Sequence, residues 1–300
     1  MNGLGSFKTE IRVHPLASWE ENWTTELGIW YPGERVVFRG QDMFKDLSTL
    51  PWMGLLLYGI TGKVPNSQQI RLFDGIWALA ASFPDPRLWN NRIGALAGTA
   101  RSSTTLGVSA GIAVSEAIIY GYQPLMAAME SLLAISNRLQ QDSTNLKDIL
   151  QEKLAAQHVN STKPASGKNR CVAQLPGYGR PIAARDERIE PLMKLAAELG
   201  FDKGPMLTLA FAIEQTLADM GQTLQMNVVG LMAGLSADQG LSPREHYEYG
   251  VLCFSAGILH CAVDAAKHPA AAFFPLRCAR IHYTGPALRQ WQSKNTQLVG

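Results

Sequence analysis

The stretch Leu175-Pro176-Gly177-Tyr178-Gly179-Arg180 is the most informative part of this 300-residue chain. It ends a segment of loop composition, 158–175, and precedes a helical pattern over 186–200. The last residue of the stretch is Arg180, whose guanidinium donates hydrogen bonds but cannot shuttle protons near neutral pH. Its side chain either clamps a carboxylate or phosphate bidentately or is a surface arginine beside a turn.

Outward from this loop, the apolar residues recur with helical spacing. The predicted helices include 103–120, 122–140, 143–157, 186–200, 203–221, 227–237 and 243–266. Asn66 and Ser242 are predicted N-caps, and Gly200 and Gly221 are predicted C-caps. Because no long segment alternates with period two, the sequence predicts an all-α fold.

The composition excludes several classes of protein. Apolar residues make up 46% of the chain and charged residues 17%, with a net charge of +2, which argues against a nucleic-acid partner. The N-terminus has no apolar signal region, and the apolar stretches fall short of the ~20 residues that span a bilayer. We therefore expect a cytoplasmic protein without a membrane partner.

Cysteine spacing argues against two further kinds of site. The four cysteines lie far apart and form no CxxC pair: Cys171, Cys253, Cys261 and Cys278. Neither a zinc site nor a disulfide framework is expected. We predict no metal, and interpret these cysteines as small buried hydrophobic residues.

Six short motifs occur in the order in which citrate synthases and the related citryl-CoA lyases carry them. They are 38–42 (FRGQD), 55–59 (LLLYG), 99–101 (TAR), 176–179 (PGYG), 227–228 (NV) and 280–286 (RIHYTGP). The chain therefore resembles this family over residues 36–286.

The resemblance implies an all-α homodimer in which a small helical domain is inserted into a large one. The implied domains are an irregular N-terminal arm (1–35), the large domain (36–132 and 241–300) and the small domain (133–240). Family members join or split a carbon–carbon bond between an acyl-CoA and a 2-oxo acid. A coenzyme A thioester is therefore a candidate substrate, and no cofactor is required.

The family's catalytic positions hold other side chains here. The histidine of P-L-H-G-G falls on Met126, the histidine after P-G-Y-G on Arg180, and the aspartate of N-V-D on Val229. None of these three side chains can act as a general acid or base near neutral pH. A family D-H pair falls on Asn90 and Asn91, which would bind substrate with Arg180 or would cap the following helix.

Further substrate or coenzyme A contacts follow from the resemblance. The predicted residues are Tyr178, Gly179, Arg185, Arg188, Asn227 and His260. Asp186 could instead be an N-cap, and His260 a core or interface histidine. Asp238 and Glu130 are the carboxylates nearest the substituted positions and are candidate replacements for the base.

Two hypotheses about function follow. In the first, the chain is a rebuilt enzyme that binds a small-molecule carboxylate or acyl-thioester and polarises a carbonyl, in a cleavage, condensation or cyclisation. In the second, it is a non-catalytic relative that binds a metabolite or coenzyme A, or is the regulatory subunit of an active paralogue.

Overall fold

The computed structural model describes residues 24–141, 144–160, 175–180, 185–272, 280 and 282–287. Its strands are β1 (Gly28–Tyr31), β2 (Arg35–Phe38) and β3 (Gln41–Asp42). Its helices are α1 (Trp52–Thr61), α2 (Ser67–Ile76), α3 (Trp89–Thr99), α4 (Thr104–Val114), α5 (Gln123–Gln141), α6 (Leu146–Asn160), α7 (Ile189–Glu198), α8 (Pro205–Asp219), α9 (Val228–Asp238), α10 (Pro243–Gly250) and α11 (Ser255–Lys267). A short π-helix, Trp77–Ala81, continues α2. The predicted helical class is confirmed.

A small antiparallel sheet, ordered β1-β2-β3, begins inside the arm that was predicted to be irregular. Its last turn places Arg39 and Gly40 at φ 46° and 81°. The Arg39 guanidinium donates to the Gly59 carbonyl at 2.7 Å, and the Tyr58 hydroxyl donates to the Arg39 carbonyl at 2.9 Å. The FRGQD and LLLYG motifs therefore pack against each other and have a structural role.

The described residues divide into two units. Unit 1 combines the chain up to Phe83 with Ser115–Phe254, and unit 2 combines Pro84–Val114 with the chain from Ser255 onward. The domain boundaries given above remain a prediction, as do the homodimer and the inserted small domain.

The helices of unit 1 begin and end largely where the sequence signals indicate. Asn66 and Ser242 each form a capping box, with Gln69 and Glu245 respectively. The N-cap predictions are confirmed. The C-cap predictions are off by one residue: the C-caps are Leu199 and Met220, and Gly200 and Gly221 follow them with φ of 79° and 72°, as glycines just past helix ends often do. The long helix α5 packs against α6, α8, α9 and α10 and supplies much of the core.

Two predicted helices end or break earlier than expected. The helix predicted over 103–120 ends at Val114, because the Ser115 carbonyl then accepts the N–H groups of Ala117 and Tyr122, both at 2.9 Å. The helix predicted over 243–266 is two helices separated by turns at 251–254. At the break, the N–H of Cys253 bonds to the Gly250 carbonyl at 3.0 Å.

The segment Pro243–Lys267 is long and apolar enough to cross a membrane by length and composition alone. Core helices of soluble proteins pass the same test, and 44% of its most apolar window is buried here. Since the turns at 251–254 divide the segment, neither α10 nor α11 approaches the ~20 residues of a spanning helix. We interpret α10 as part of the core of unit 1 and α11 as part of the core of unit 2.

Unit 2 is built on close backbone contact between α3 and α11. A β-carbon at Gly94 would lie 2.3 Å from the Ile258 carbonyl oxygen, and one at Gly98 would lie 2.2 Å from that of Ala262. Arg101, the arginine of the TAR motif, donates to the carbonyls of Ala266 and His268 at 2.5 and 2.6 Å. This arginine therefore caps the end of α11 and has a structural role.

Two of the four cysteines lie among the described residues. Cys253 and Cys261 are free and buried, which confirms the prediction for these two. Burial raises the pKa of the Cys253 thiol to about 12, so it stays protonated and unreactive at neutral pH. Cys171 and Cys278 lie outside the described residues.

An aromatic cluster in unit 1 surrounds a fully buried histidine. The Phe73 and Tyr249 rings are 4.9 Å apart, Trp77 lies 5.8 Å from Tyr249, and His246 stacks on Tyr249 at 6.4 Å. Neither ring nitrogen of His246 has a hydrogen-bond partner among the described residues. Burial lowers its pKa from 6.5 to about 4, so the imidazole is neutral at physiological pH.

The buried His246 predicts an acid-sensitive fold. Its pKa is lower in the folded chain than in the unfolded chain, so the unfolded chain binds more protons as the pH falls from 6.5 towards 4. Over this window the free energy of unfolding should decrease by about 3 kcal/mol through this group. Urea unfolding at several pH values measures the decrease. In His246→Phe the decrease over this window should be smaller by about 3 kcal/mol, and an identical pH dependence in that variant would contradict the assignment.

Candidate functional site

The PGYG loop is fixed against the start of α9 by its two glycines. Gly177 and Gly179 have φ of 88° and 87°, a region that non-glycine residues rarely adopt. A β-carbon at Gly177 would lie 2.8 Å from the Cα of Gly230 in α9. The Gly179 N–H also donates to the Gln225 carbonyl at 2.6 Å. These contacts hold the loop backbone in place, and Arg180 is the next residue along the chain.

The Tyr178 side chain anchors the loop to α8. The residue is 4% exposed, and its hydroxyl donates to the Ala210 carbonyl of α8 at 2.8 Å. Burial raises the pKa of this phenol well above its ordinary value. Tyr178 therefore has a complete structural role, and its contact with a substrate remains a prediction.

Asn227 links the loop to α9. Its Nδ2 donates to the Gly179 carbonyl at 2.9 Å, while its Oδ1 accepts from the N–H groups of Val229 and Gly230 at 2.9 and 3.3 Å. Asn227 is thus the N-cap of α9 and a tether of the loop at the same time. Its predicted role in substrate binding stays untested beside this structural one.

Arg180 lies in a cluster of charged side chains. Its Nη1 is 2.5 Å from Glu187 Oε2, 2.9 Å from the Arg185 carbonyl oxygen and 3.8 Å from Asp186 Oδ1. The Arg180 side chain is 16% exposed, whereas that of Glu187 is 69% exposed. The guanidinium is sheltered, and its strongest partner is a carboxylate at the surface.

Asp186 is the buried centre of this cluster. Its side chain is fully buried and accepts from Arg188 Nε and Nη2, both at 2.8 Å, and from the Val228 N–H at 2.8 Å. Burial raises the pKa of this carboxyl, but the bonds from Arg188 and the backbone lower it further, so the net shift is downward. Asp186 therefore joins α9 to the segment before α7, and Arg188 neutralises it.

Tyr120, which the sequence patterns did not indicate, lies within electrostatic range of Arg180 and Arg188. Its φ is 55°, a strained value for a tyrosine, and 47% of the residue is exposed. Burial raises the pKa of its phenol, and the charges of Arg180 and Arg188 oppose that shift. The hydroxyl is therefore neutral at pH 7 and lies within the electrostatic field of both guanidiniums. The next residue must be a glycine, because a β-carbon at Gly121 would lie 2.3 Å from the Ser115 carbonyl oxygen. That glycine is the sequence signal that could have indicated this turn.

The two other positions to which the resemblance assigns catalytic residues carry apolar side chains. Met126 in α5 and Val229 in α9 are both half-buried. Asp238, a candidate replacement base, accepts from the N–H groups of Met206 and Leu207 at 2.8 and 2.9 Å and so caps α8. Glu130, the other candidate, is exposed on α5.

The remaining predicted site residues lie in two places. Asn90 and Asn91 are in the first turn of α3 in unit 2, 5% and 2% exposed, and Asn91 Nδ2 donates to the Asp85 carbonyl at 3.2 Å. His260 is exposed on α11, in the same unit. Arg185 is exposed and contributes its carbonyl to Arg180. Their roles in binding remain predictions.

A cavity of about 570 Å³ lies beside the loop, between α8 and residues 222–225. Its wall carries Glu214 and several neutral polar side chains, but Arg180 is not part of it. Glu214 already accepts the Met226 N–H at 2.8 Å. Within the described part of the chain, no group of three His, Cys, Asp or Glu residues could hold a metal ion. We place the candidate site at Arg180 and not in this cavity, because Arg180 is a sheltered guanidinium whose carboxylate partner is exposed.

No protein-family model matches the sequence, and no curated protein is significantly similar to it. Solved structures do match. A citryl-CoA lyase from Hydrogenobacter thermophilus has a TM-score of 0.73 at 19% identity, covering 90% of this chain and 98% of that one. An ATP citrate lyase variant from Methanosaeta concilii, in complex with (3S)-citryl-CoA, has a TM-score of 0.67 at 13% identity.

In that second match, this chain is covered over 91% of its length and the lyase over only 44%. A citrate synthase from Thermoplasma acidophilum, in complex with carboxymethyl coenzyme A and oxaloacetate, has a TM-score of 0.57 at 16% identity, covering 82% of this chain and 60% of that one. The chain therefore has a citrate synthase-like fold, which it shares with citryl-CoA lyase and ATP citrate lyase.

Proposed function

We propose that this chain is an enzyme of the citrate synthase type with a rebuilt active site, which binds a small carboxylate or acyl-thioester at Arg180. The observation that carries the proposal is the position of Arg180: a sheltered guanidinium on a rigid loop whose main partner is an exposed carboxylate. Rigid placement of a bidentate donor favours recognition of planar carboxylates.

The described residues at this site suit polarisation of a carbonyl better than removal of a proton. Arg180 would hold a carboxylate or an oxyanion by charge-assisted hydrogen bonds. The apolar Met126 and Val229 offer no acid or base. We therefore infer a cleavage, condensation or cyclisation in which the substrate supplies its own acid or base. A coenzyme A thioester is the proposed activated substrate. The proposed location of the protein is the cytoplasm.

A second candidate function is binding without catalysis. It is favoured by Asp238, whose carboxylate is committed to capping α8 and is not available as a replacement base. Such a relative would bind a metabolite or coenzyme A, or would pair with an active paralogue. The two candidates differ in whether a bound thioester is turned over.

A thermal-shift screen of the purified chain tests the proposal. Citrate, oxaloacetate, acetyl-CoA and free coenzyme A are the first ligands, since a ligand that binds only the folded state at 100 times its Kd stabilises by about 2.7 kcal/mol. At that saturation we expect a shift of about 4–5 °C with at least one carboxylate or thioester. Mass-spectrometric detection of a product formed from an added thioester then separates enzyme from binder. No shift with any carboxylate or thioester would contradict the proposed site.

A further inference from the structure

The ion pair between Arg180 and Glu187 joins two side chains of very different exposure. Arg180 Nη1 lies 2.5 Å from Glu187 Oε2, and Nη2 lies 3.4 Å from Oε1, so the carboxylate meets both guanidinium nitrogens. That arrangement is the one an external carboxylate would adopt. Glu187 therefore meets the guanidinium as a ligand carboxylate would under the proposed function.

The neighbouring carboxylate cannot be exchanged in this way. Asp186 is fully buried, makes three bonds at 2.8 Å with Arg188 and the Val228 N–H, and lies 3.8 Å from Arg180. Removing it would leave Arg188 without its carboxylate and the first turn of α9 without a buried acceptor. Of the two carboxylates beside Arg180, only Glu187 can leave at low cost.

We propose that Glu187 is a built-in competitor that occupies Arg180 until an anionic ligand displaces it. This inference rests on the proposed function, because it concerns the same guanidinium. Leaving is inexpensive for Glu187, since a carboxylate that is 69% exposed is readily rehydrated. The apparent Kd of every anion equals its intrinsic Kd divided by the fraction of Arg180 that is free of Glu187. The competition therefore lowers the apparent affinity of every anion.

Calorimetric titration of the full chain with citrate tests this competition. Glu187→Gln removes the charge at nearly constant size, and Glu187→Ala removes the whole carboxylate. For both variants we expect a Kd about 3- to 5-fold lower than that of the wild type, as the strength of a partly exposed ion pair implies. Glu190→Gln is the matched control, because Glu190 is exposed three residues further on and has no ion pair among the described residues. Its Kd should stay within about twofold of the wild type.

The pKa of Glu187 provides a second readout. The hydrogen bond from Arg180 now holds it below its ordinary value, and saturation with citrate should raise it.

A citrate Kd in both Glu187 variants that equals or exceeds that of the wild type overturns the competition. If the thermal-shift screen still finds a ligand and Arg180→Ala loses it, the proposed site stands without this competition. A screen without any ligand overturns both.

Discussion

Arg180→Ala should weaken the binding of any carboxylate that the chain recognises by about 10- to 100-fold, the loss expected when one charged hydrogen-bonding group is removed. Arg180→Lys should recover part of the affinity, because an ammonium keeps the charge but not the planar pair of donors. Calorimetry with the ligands of the thermal-shift screen measures both effects.

The matched control for this prediction is Arg71→Ala. Arg71 is exposed on α2 and has no ion pair among the described residues, so its removal subtracts the same charge without touching the site. We expect the control to bind as the wild type does. The fold of Arg180→Ala should persist, with a Tm lower by about 2–4 °C for the lost bond to the Arg185 carbonyl. Equal affinities in the two alanine variants would show that the ligand binds elsewhere.

Gly177→Ala should be the most destabilising small substitution in the loop. The residue would keep a φ of 88°, and its new β-carbon would lie 2.8 Å from the Cα of Gly230. Left-handed backbone costs about 1–2 kcal/mol for a non-glycine residue, and overpacking adds about 1–3 kcal/mol. The free energy of unfolding should therefore decrease by about 2–5 kcal/mol, as measured by urea unfolding.

Gly200→Ala separates these two contributions. Gly200 has a similar φ of 79°, but a β-carbon there would meet no atom within 4 Å. Its substitution should cost only the backbone part, about 1–2 kcal/mol. If the two variants were equally destabilised, the close approach of the loop to α9 would be incorrect, and the rigid placement of Arg180 would lose its support.

The sequence indicated the helix starts at Asn66 and Ser242, because capping depends on local chemistry, but it missed the end of α4 at Val114 and the break at 251–254. The caps at Asn66 and Ser242 and the glycine at 200 follow from residues within one helical turn of each other. The resemblance to citrate synthases, carried by motifs in a fixed order, predicted the fold that the structural matches support.

The partners of the site residues could not be read from the same patterns. Glu187 pairs with Arg180, and Asp186 bonds to Val228 42 residues away, through contacts that only the tertiary fold creates. The motif arginines Arg39 and Arg101 cap helices, so their presence reports on the scaffold and not on chemistry. The homodimer, the substrate and the loss of the family's acid–base residues remain predictions.

A crystal structure of the chain grown with citrate is the most direct test of the anion site at Arg180. The account predicts a carboxylate of the ligand within hydrogen-bonding distance of both Arg180 Nη atoms, with Glu187 turned into solvent and Asp186 still bonded to Arg188. A bound citrate with the Arg180–Glu187 pair intact would contradict it.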